Sequence, residues 1–227
     1  MDEEPPQIPL ESQVQAWLGT FGRRFTSLRR LSGDVSPRRY CRLVLESGEP
    51  AILAVYPPEM ADTYGRFLVT GALLTQVQVP VPEVLETDKA QRFMLLEDLG
   101  TRSLFELELP SWGERKPFFE LAMDLAARIR ELDPERIAPL NPPLDAGTLE
   151  KELEQTWRTY LHPQGMARGE LGSELEGALA ELCRTLAELP PEPCHRDFMA
   201  RNLMPRPGEL YAGNGAADPS LVVLDHQ

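Results

Sequence analysis

The chain has 227 residues, of which 42% are hydrophobic and 7% aromatic, a composition that suits one large or two small globular domains. Its 23 basic and 36 acidic side chains give a net charge of −13. Such an acid surplus argues against a nucleic-acid partner, whose phosphate backbone needs a basic face. Any polyphosphate would have to be bound locally, by metal ions, backbone amides or individual arginines.

Targeting signals and cysteine usage predict a cytoplasmic protein. The start of the chain is acidic and contains prolines, unlike the basic start and apolar core of a signal peptide. No apolar run approaches the length that crosses a bilayer, so we expect no membrane partner. Cys41, Cys183 and Cys194 are odd in number and lack the paired spacing of a metal site, which favours reduced thiols.

Hydrophobic periodicity predicts a strand-rich first half. Polar and glycine-containing breaks separate the first strands, which suits an antiparallel meander, and Pro57 and Pro58 end the third strand. In chain order the predicted elements are a helix at 10–18, strands at 25–31, 39–45 and 51–56, a helix at 59–76, and strands at 83–87 and 92–96.

The second half is predicted to be helical. Its clearest helix has apolar residues at steps of three and four, and a proline-rich break follows it. The predicted helices span 112–132, 144–161 and 171–186. The predicted fold class is therefore α+β, with a five-stranded antiparallel lobe, a short connector and a mainly helical lobe.

Two segments near the end of the chain carry residues suited to chemistry. HRDFMARNLM occupies 195–204, and LVVLDHQ occupies 221–227. The first, with His-x-Asp followed five residues later by Asn, resembles the catalytic loop of kinase-fold phosphotransferases. The second resembles the apolar strand that presents their metal-binding aspartate. The resemblance implies a protein-kinase-like bilobal fold.

That resemblance implies a role for each polar side chain in the two segments. Phosphoryl transfer depends mainly on positioning and on neutralising charge. Asp197 would accept or orient the proton of the acceptor hydroxyl, and Asn202 and Asp225 would bind Mg²⁺, which prefers hard oxygen donors. We expect His195 to tie the loop down through hydrogen bonds and Cys194 to be a buried packing residue.

Motifs in the first half narrow the resemblance. GDVSPRRY at 33–40, PPE at 57–59, VPEV at 81–84 and LLEDLG at 95–100 occur in order. Together with the catalytic loop they resemble the bacterial cell-wall sugar kinases of the aminoglycoside phosphotransferase superfamily. Those enzymes phosphorylate the anomeric hydroxyl of N-acetylmuramate and N-acetylglucosamine. The likeness implies ATP and Mg²⁺ as cofactors and a small-molecule hydroxyl acceptor, most simply an amino sugar.

The same resemblance assigns the nucleotide contacts. Ser36, Arg38 and Arg39 would lie near the phosphates, where amides and guanidinium groups suit anions. The alternative for this loop is a solvated hairpin turn with two surface arginines. The Glu97 carbonyl and the Leu99 amide would read the adenine edge from a hinge at 98–102, between an N-lobe at 1–97 and a partial C-lobe at 103–227.

The chain departs from the family pattern in two places. No lysine lies on the third strand, where Ala54 or Val55 takes the position of the usual phosphate-binding lysine. Either an arginine such as Arg38, Arg39 or Arg42 replaces it, or phosphate binding is weakened. The chain also stops two residues after Asp225, whereas family members continue with further helices. We therefore expect a truncated C-lobe with exposed apolar surface, which leaves the activity of this chain open.

Two alternative functions remain at this point. Within the superfamily, the acceptor could be an aminoglycoside or another cationic hydroxyl compound, which an acidic lobe would attract. In a different class, the chain could be a non-catalytic kinase-like module that binds a nucleotide without turnover. The absent lysine and the absent helices both favour the latter.

Overall fold

The computed structural model describes residues 9–31, 37–108, 111–165, 169, 172–206 and 220–226. The chain forms two compact units, one made of Met1–Ile129 and His195–Gln227 and the other of Arg130–Cys194. The lobe boundaries predicted from the sequence, at 97 and 102, do not coincide with the boundaries of these units. The predicted lobes remain a prediction. None of the helices in the described part of the chain has the length and apolarity needed to cross a bilayer.

A five-stranded antiparallel sheet dominates the first unit, with the strand order β1-β2-β3-β5-β4. The strands and helices lie close to their predicted positions, and the α+β prediction is confirmed. Their bounds are α1 Leu10–Gly19, β1 Phe25–Arg30, β2 Arg39–Leu45, β3 Pro50–Val55, α2 Ala61–Gln76, β4 Val84–Asp88 and β5 Phe93–Glu97, with a 3-10 turn at Pro58–Met60 before α2.

The two faces of the sheet have separate cores, because successive side chains of a strand point to opposite faces. One core joins β2, β3 and β5 to α1 and contains Trp17, Leu43 and Leu53. The other joins β3 and β5 to α2 and contains Phe67 and Met94. This alternation decides which polar side chains of β2 lie on the α2 face and which lie on the α1 face.

After β5 the first unit continues through α3 Trp112–Ile129 and closes with a second sheet. That sheet pairs β6 Leu203–Pro205 antiparallel with β7 Leu221–Val223. Leu99, Met204 and Val222 form a buried cluster, and the Val223 amide donates to the Pro80 carbonyl at 2.8 Å. The end of the chain is thereby fastened beside the connector. The apolar run at β7 was predicted, whereas β6 was not.

The second unit is helical, with α4 Pro134–Ile137, α5 Ala146–Thr156 and α6 Gly172–Ala187. Asp145 caps α5 by accepting a hydrogen bond from the Thr148 amide at 2.7 Å, the usual role of an aspartate at a helix start. The predicted helix at 144–161 is shorter than expected, because a π-helical turn follows at Trp157–Leu161.

The three cysteines differ in their exposure to solvent. All three cysteines are free, and Cys41 and Cys183 are buried. Cys194 is exposed, so the prediction of a buried packing residue was wrong. It lies in the proline-rich segment after α6, where the preceding Pro193 is the buried residue. Apolar side chains are exposed on α3, among them Trp112 and Met123.

Candidate active site

A cavity of about 410 Å³ lies in the first unit between the five-stranded sheet, the segment after β5 and the β6–β7 pair. A volume of this size suits a small-molecule ligand. Its walls combine apolar side chains with charged ones. The lining residues are Leu31, Arg38, Tyr40, Arg42, Ile52, Phe67, Pro82, Leu96, Glu97, Asp98, Leu99, Gly100, Asn202, Met204, Leu224 and Asp225.

The predicted catalytic loop brings Asp197 and Asn202 together. Ala200–Asn202 form one 3-10 turn, which folds the chain back on itself. The Asn202 Nδ2 then donates to the Asp197 carbonyl at 2.9 Å and to its Oδ2 at 3.2 Å. Because the amide nitrogen is used in this way, the Asn202 Oδ1 is the atom available as an oxygen ligand. Asp197 is exposed.

His195 ties this loop to the chain after β7. Its Nε2 lies 2.7 Å from the Leu224 carbonyl oxygen. A carbonyl only accepts, so Nε2 carries the proton in this contact. The Leu224 amide in turn donates to the Asn202 carbonyl at 2.8 Å. The hydrogen bond expected of His195 is present, and Leu224 joins the two predicted catalytic segments through its carbonyl and its amide.

Asp225 follows directly, and its backbone turns sharply. Its φ of 56° lies in the left-handed region, which aspartate tolerates better than most side chains. The carboxylate is 43% exposed and accepts an ion-paired hydrogen bond from the Arg38 Nη2 at 3.1 Å. Asp225 and Asn202 both line the cavity. Residues that are distant in sequence therefore meet at this end of the cavity.

Arg38 lies between two tyrosines. Its guanidinium carbon is 5.8 Å from the Tyr40 ring centre and 6.0 Å from that of Tyr56, within range of a cation–π interaction. Burial raises the pKa of both tyrosine hydroxyls above the ordinary value. Both rings therefore stay neutral, and their faces help to hold the positive charge of Arg38 beside Asp225.

The segment 98–102 after β5, here called the connector, forms the other end of the cavity. Glu97, Asp98, Leu99 and Gly100 all line it. The Glu97 side chain pairs with Arg206 and also accepts from the Glu83 amide. The two predicted hinge residues, Glu97 and Leu99, therefore lie at the cavity, in a segment held by neighbouring side chains.

The structure separates Arg38 from Arg39, two of the three predicted contacts of the 33–40 loop. Arg38 lies at the cavity, as described above. Arg39 pairs with Val55 across β2 and β3, and Val55 belongs to the α1 core. Arg39 is exposed on that face of the sheet, away from the cavity lining. Ser36 lies outside the described residues.

His226 was not predicted to contribute, yet it is 5% exposed and lies directly beside Asp225. Its ring centre is 4.4 Å from that of Phe67 in α2, and a Cβ built at Gly71 would lie 3.1 Å from its Nε2. Burial lowers the pKa of His226 to about 4. No sequence signal separates this buried ring from an exposed one, because its partners lie in a distant helix.

The donor atoms at the Asp225 end fit a magnesium ion that arrives with a nucleotide. In the part of the chain that the structure describes, no group of three or more His, Cys, Asp or Glu side chains could hold a metal ion. Asp225 and the Asn202 Oδ1 offer one carboxylate and one amide oxygen. Protein sites for Mg²⁺ use one or two carboxylates and leave the other positions to phosphates and water.

The chain is similar in sequence to a known family and to proteins of known name. The model of the phosphotransferase enzyme family (APH) matches residues 27–212. The N-acetylmuramate/N-acetylglucosamine kinase of Pseudomonas aeruginosa is 33% identical over 190 residues, which are 79% of this chain and 52% of that protein. The enzyme of the same name from Neisseria meningitidis is 29% identical over 210 residues, or 87% of this chain and 60% of that protein. The chain thus spans little more than half the length of these relatives.

Solved structures show the same fold at low identity. The ternary complex of APH(2")-IIa with streptomycin and ATP has a TM-score of 0.61 at 14% identity, covering 97% of this chain and 71% of that one. Spectinomycin phosphotransferase APH(9)-Ia with ADP and spectinomycin has a TM-score of 0.60 at 14% identity, covering 97% and 70%. The protein-kinase-like fold expected from the catalytic loop is confirmed.

Proposed function

The chain belongs to the phosphotransferase enzyme family, and from this premise we propose that it transfers the γ-phosphate of ATP to a hydroxyl group of a small molecule. One observation carries the proposal. Asn202 and Asp225, from two separate segments, line one end of a cavity whose other end is the connector after β5, and Asn202 donates to Asp197. That is the arrangement needed to hold a nucleotide with its terminal phosphate toward Asp197.

The two ends of the cavity suit the two ends of ATP. Apolar side chains near the connector, among them Ile52, Leu96 and Met204, provide flat surfaces for an adenine ring. Arg38 and Asp225 lie at the other end, where a cation and a metal ligand suit the phosphates. The hinge contacts of Glu97 and Leu99 with the adenine edge belong to this proposal.

Asn202, through Oδ1, and Asp225, through its carboxylate, would hold the magnesium ion. When bound, this ion neutralises phosphate charge as it develops during transfer. The protein fixes the direction of both ligands: the amide of Asn202 is oriented by Asp197, and Asp225 is set by its left-handed backbone. Both side chains would therefore be oriented before the nucleotide binds.

Arg38 supplies the positive charge that a third-strand lysine supplies in other kinase-fold enzymes. Its guanidinium is held by Asp225 and by the tyrosine rings. A guanidinium can contact two phosphate oxygens at once, which a lysine ammonium cannot do with the same geometry. Replacement of the lysine therefore changes the shape of the phosphate contact while keeping its charge.

Asp197 would accept the proton of the acceptor hydroxyl as the oxygen attacks the γ-phosphate. Its Oδ2 accepts from the Asn202 Nδ2, which orients the carboxylate, and Oδ1 takes no part in that bond. Because Asp197 is exposed, an acceptor can reach it. A positioned carboxylate base contributes roughly 10²- to 10⁴-fold to a rate.

The proposed acceptor is the anomeric hydroxyl of N-acetylmuramate or N-acetylglucosamine. The support is the relatives named as kinases of these sugars, at 33% and 29% identity over most of this chain. The aminoglycoside phosphotransferases resemble it at 14% identity, which bears on the fold alone.

Phosphate transfer from Mg²⁺-ATP to a panel of acceptors tests this proposal. The panel contains N-acetylmuramate, N-acetylglucosamine, glucose and kanamycin, together with both N-acetyl sugars reduced to their alditols. We expect transfer to the N-acetyl sugars and none to the alditols, which lack the anomeric hydroxyl. Transfer to kanamycin instead would favour the aminoglycoside alternative. ATP binding without transfer to any acceptor would favour a non-catalytic module.

A further inference from the structure

An ion pair inside the cavity joins the sheet to the connector. Arg42 of β2 donates from Nε to the Asp98 Oδ2 at 2.5 Å and from Nη2 to the Asp98 Oδ1 at 2.9 Å. The two side chains are 17% and 3% exposed. Both line the cavity, although 56 positions separate them in sequence. This bidentate contact fixes both the orientation of the Asp98 carboxylate and its distance from Arg42.

The same two side chains also hold the backbone at Gly100. Arg42 Nη2 donates to the Gly100 carbonyl at 2.7 Å, and the Gly100 amide donates to the Asp98 Oδ1 at 2.8 Å. The φ of Gly100 is 90°, which a glycine adopts without strain. The turn after Leu99 is therefore closed by a small network that begins on a neighbouring strand.

A contribution to stability does not by itself explain why a buried ion pair lies at this position. Removing two charges from water costs about as much free energy as their attraction returns, so that a buried ion pair is weak evidence for a stabilising role. This pair lies in the wall of a cavity and holds the segment that presents Glu97 and Leu99 to it. Its position suits the alignment of a binding surface.

We propose that Arg42 is a positioning residue for the nucleobase: by fixing Asp98 and Gly100 it sets the connector backbone that reads the edge of the base. The inference rests on the proposed function, since it assumes that the cavity binds a nucleotide. Arg42 acts through the connector and does not touch the phosphates, for which Arg38 is the cation. It is therefore not the replacement for the third-strand lysine.

This role has a signature that a phosphate-binding arginine would not share. Loss of Arg42 should weaken binding of adenosine, which has no phosphate, by the same factor as binding of Mg²⁺-ATP. An effect of about tenfold is the size expected for losing charge-assisted contacts that orient a binding surface. In turnover, the KM for ATP should rise by that factor while kcat changes little, because the catalytic loop is untouched.

The experiment compares adenosine and Mg²⁺-ATP affinities, by calorimetry, for the wild type and three variants. Arg42→Met leaves Asp98 buried without its partner and risks instability. Arg42→Met/Asp98→Asn removes both charges and avoids that risk. Arg42→Lys keeps the charge but not the bidentate contact. The matched control is Arg23→Met, which breaks the ion pair of Arg23 with Glu86 of β4, 3.2 Å apart.

We expect a similar loss of affinity for both ligands in every Arg42 variant, smallest in Arg42→Lys, and wild-type affinity in Arg23→Met. A folded double variant with wild-type affinities would overturn the inference, as would a loss seen with Mg²⁺-ATP but not with adenosine. Failure of the proposed function looks different, because the wild type itself would then bind neither ligand.

Discussion

The two ends of the cavity are built differently. At the connector, Asp98 is 3% exposed and Arg42 is 17% exposed, and their contacts extend to the Gly100 backbone. At the other end, the Asp225 carboxylate is 43% exposed and its ion-pair partner Arg38 is 11% exposed, and a hydrogen bond of 3.1 Å joins them. The carboxylate at the connector is buried, whereas the carboxylate of Asp225 is accessible from the cavity.

The proposed function accounts for this contrast through the ligand group that each end would bind. A nucleobase has a fixed shape and no charge, so that a rigid, preformed surface binds it with the least ordering cost. Phosphates and a metal ion instead bring charges that the protein must match. Arg38 and Asp225 form an ion pair, and under the proposed function each would take a partner of the opposite sign when Mg²⁺-ATP binds.

The largest expected effect is at the catalytic end and spares binding. Asp197→Ala should lower turnover about a thousandfold, within the range for a lost general base, while ATP affinity stays close to that of the wild type. Transfer assays and calorimetry on the same preparation measure the two quantities. The control is Asp124→Ala, an exposed aspartate of α3, which should keep full turnover. Full turnover by Asp197→Ala would show that the mechanism is wrong.

The next effect concerns His226, the residue after Asp225, and the free energy of unfolding at acid pH. His226 has a folded-state pKa of about 4, against an ordinary value of 6.5. Between these values the unfolded chain binds a proton that the folded chain does not, so stability falls as pH is lowered from 6.5 to 4. The loss should reach about 3 kcal/mol at the acid end of that window.

Denaturant unfolding at a series of pH values measures this contribution. The difference in unfolding free energy between the wild type and His226→Leu should change with pH across that window, because leucine does not titrate. His162→Leu is the matched control, since His162 is exposed, and it should keep the pH dependence of the wild type. Parallel curves for the wild type and His226→Leu would contradict a buried neutral histidine.

A smaller effect separates the two neighbouring arginines. Arg38→Met should weaken ATP binding about tenfold, the size expected for a lost charge-assisted contact, and leave adenosine binding unchanged. Arg39→Met removes the same charge one residue away, on the opposite face of the sheet, and should alter neither affinity. Equal losses from both variants would indicate that general attraction, rather than placement at the cavity, provides the effect.

Elements and short motifs were predictable from the sequence, because periodicity and local spacing determine them. The five strands of the main sheet, the apolar strand of the second candidate segment and the hydrogen bond of His195 were all predicted; the catalytic role of the two segments stays a prediction. β6 was missed, since three residues with a proline are too short to give a pattern. The separation of Arg39 from Arg38 was not predicted for a different reason: the loop suggested a common role, whereas the register of β2 puts the two side chains on opposite faces.

Long-range pairings could not be predicted. Arg42 meets Asp98 because β2 and the connector border the same cavity, which depends on the whole sheet. His226 is buried by Phe67 and Gly71 of α2, and nothing in the sequence around His226 identifies that helix as its partner. The exposed Cys194 shows the converse case: its neighbour Pro193 takes the buried position.

The most direct test of the account is titration of ATP into the wild type and Asp225→Ala, each with Mg²⁺ and with EDTA. We expect the wild type to bind ATP at least tenfold more tightly with Mg²⁺, since even the loss of a side chain that only orients a metal ligand typically costs 10- to 100-fold in affinity. Asp225→Ala should lose this dependence on Mg²⁺ and, in EDTA, bind no more weakly than the wild type. Unchanged Mg²⁺ dependence in Asp225→Ala, or no ATP binding by the wild type, would contradict a site that holds the metal with the nucleotide.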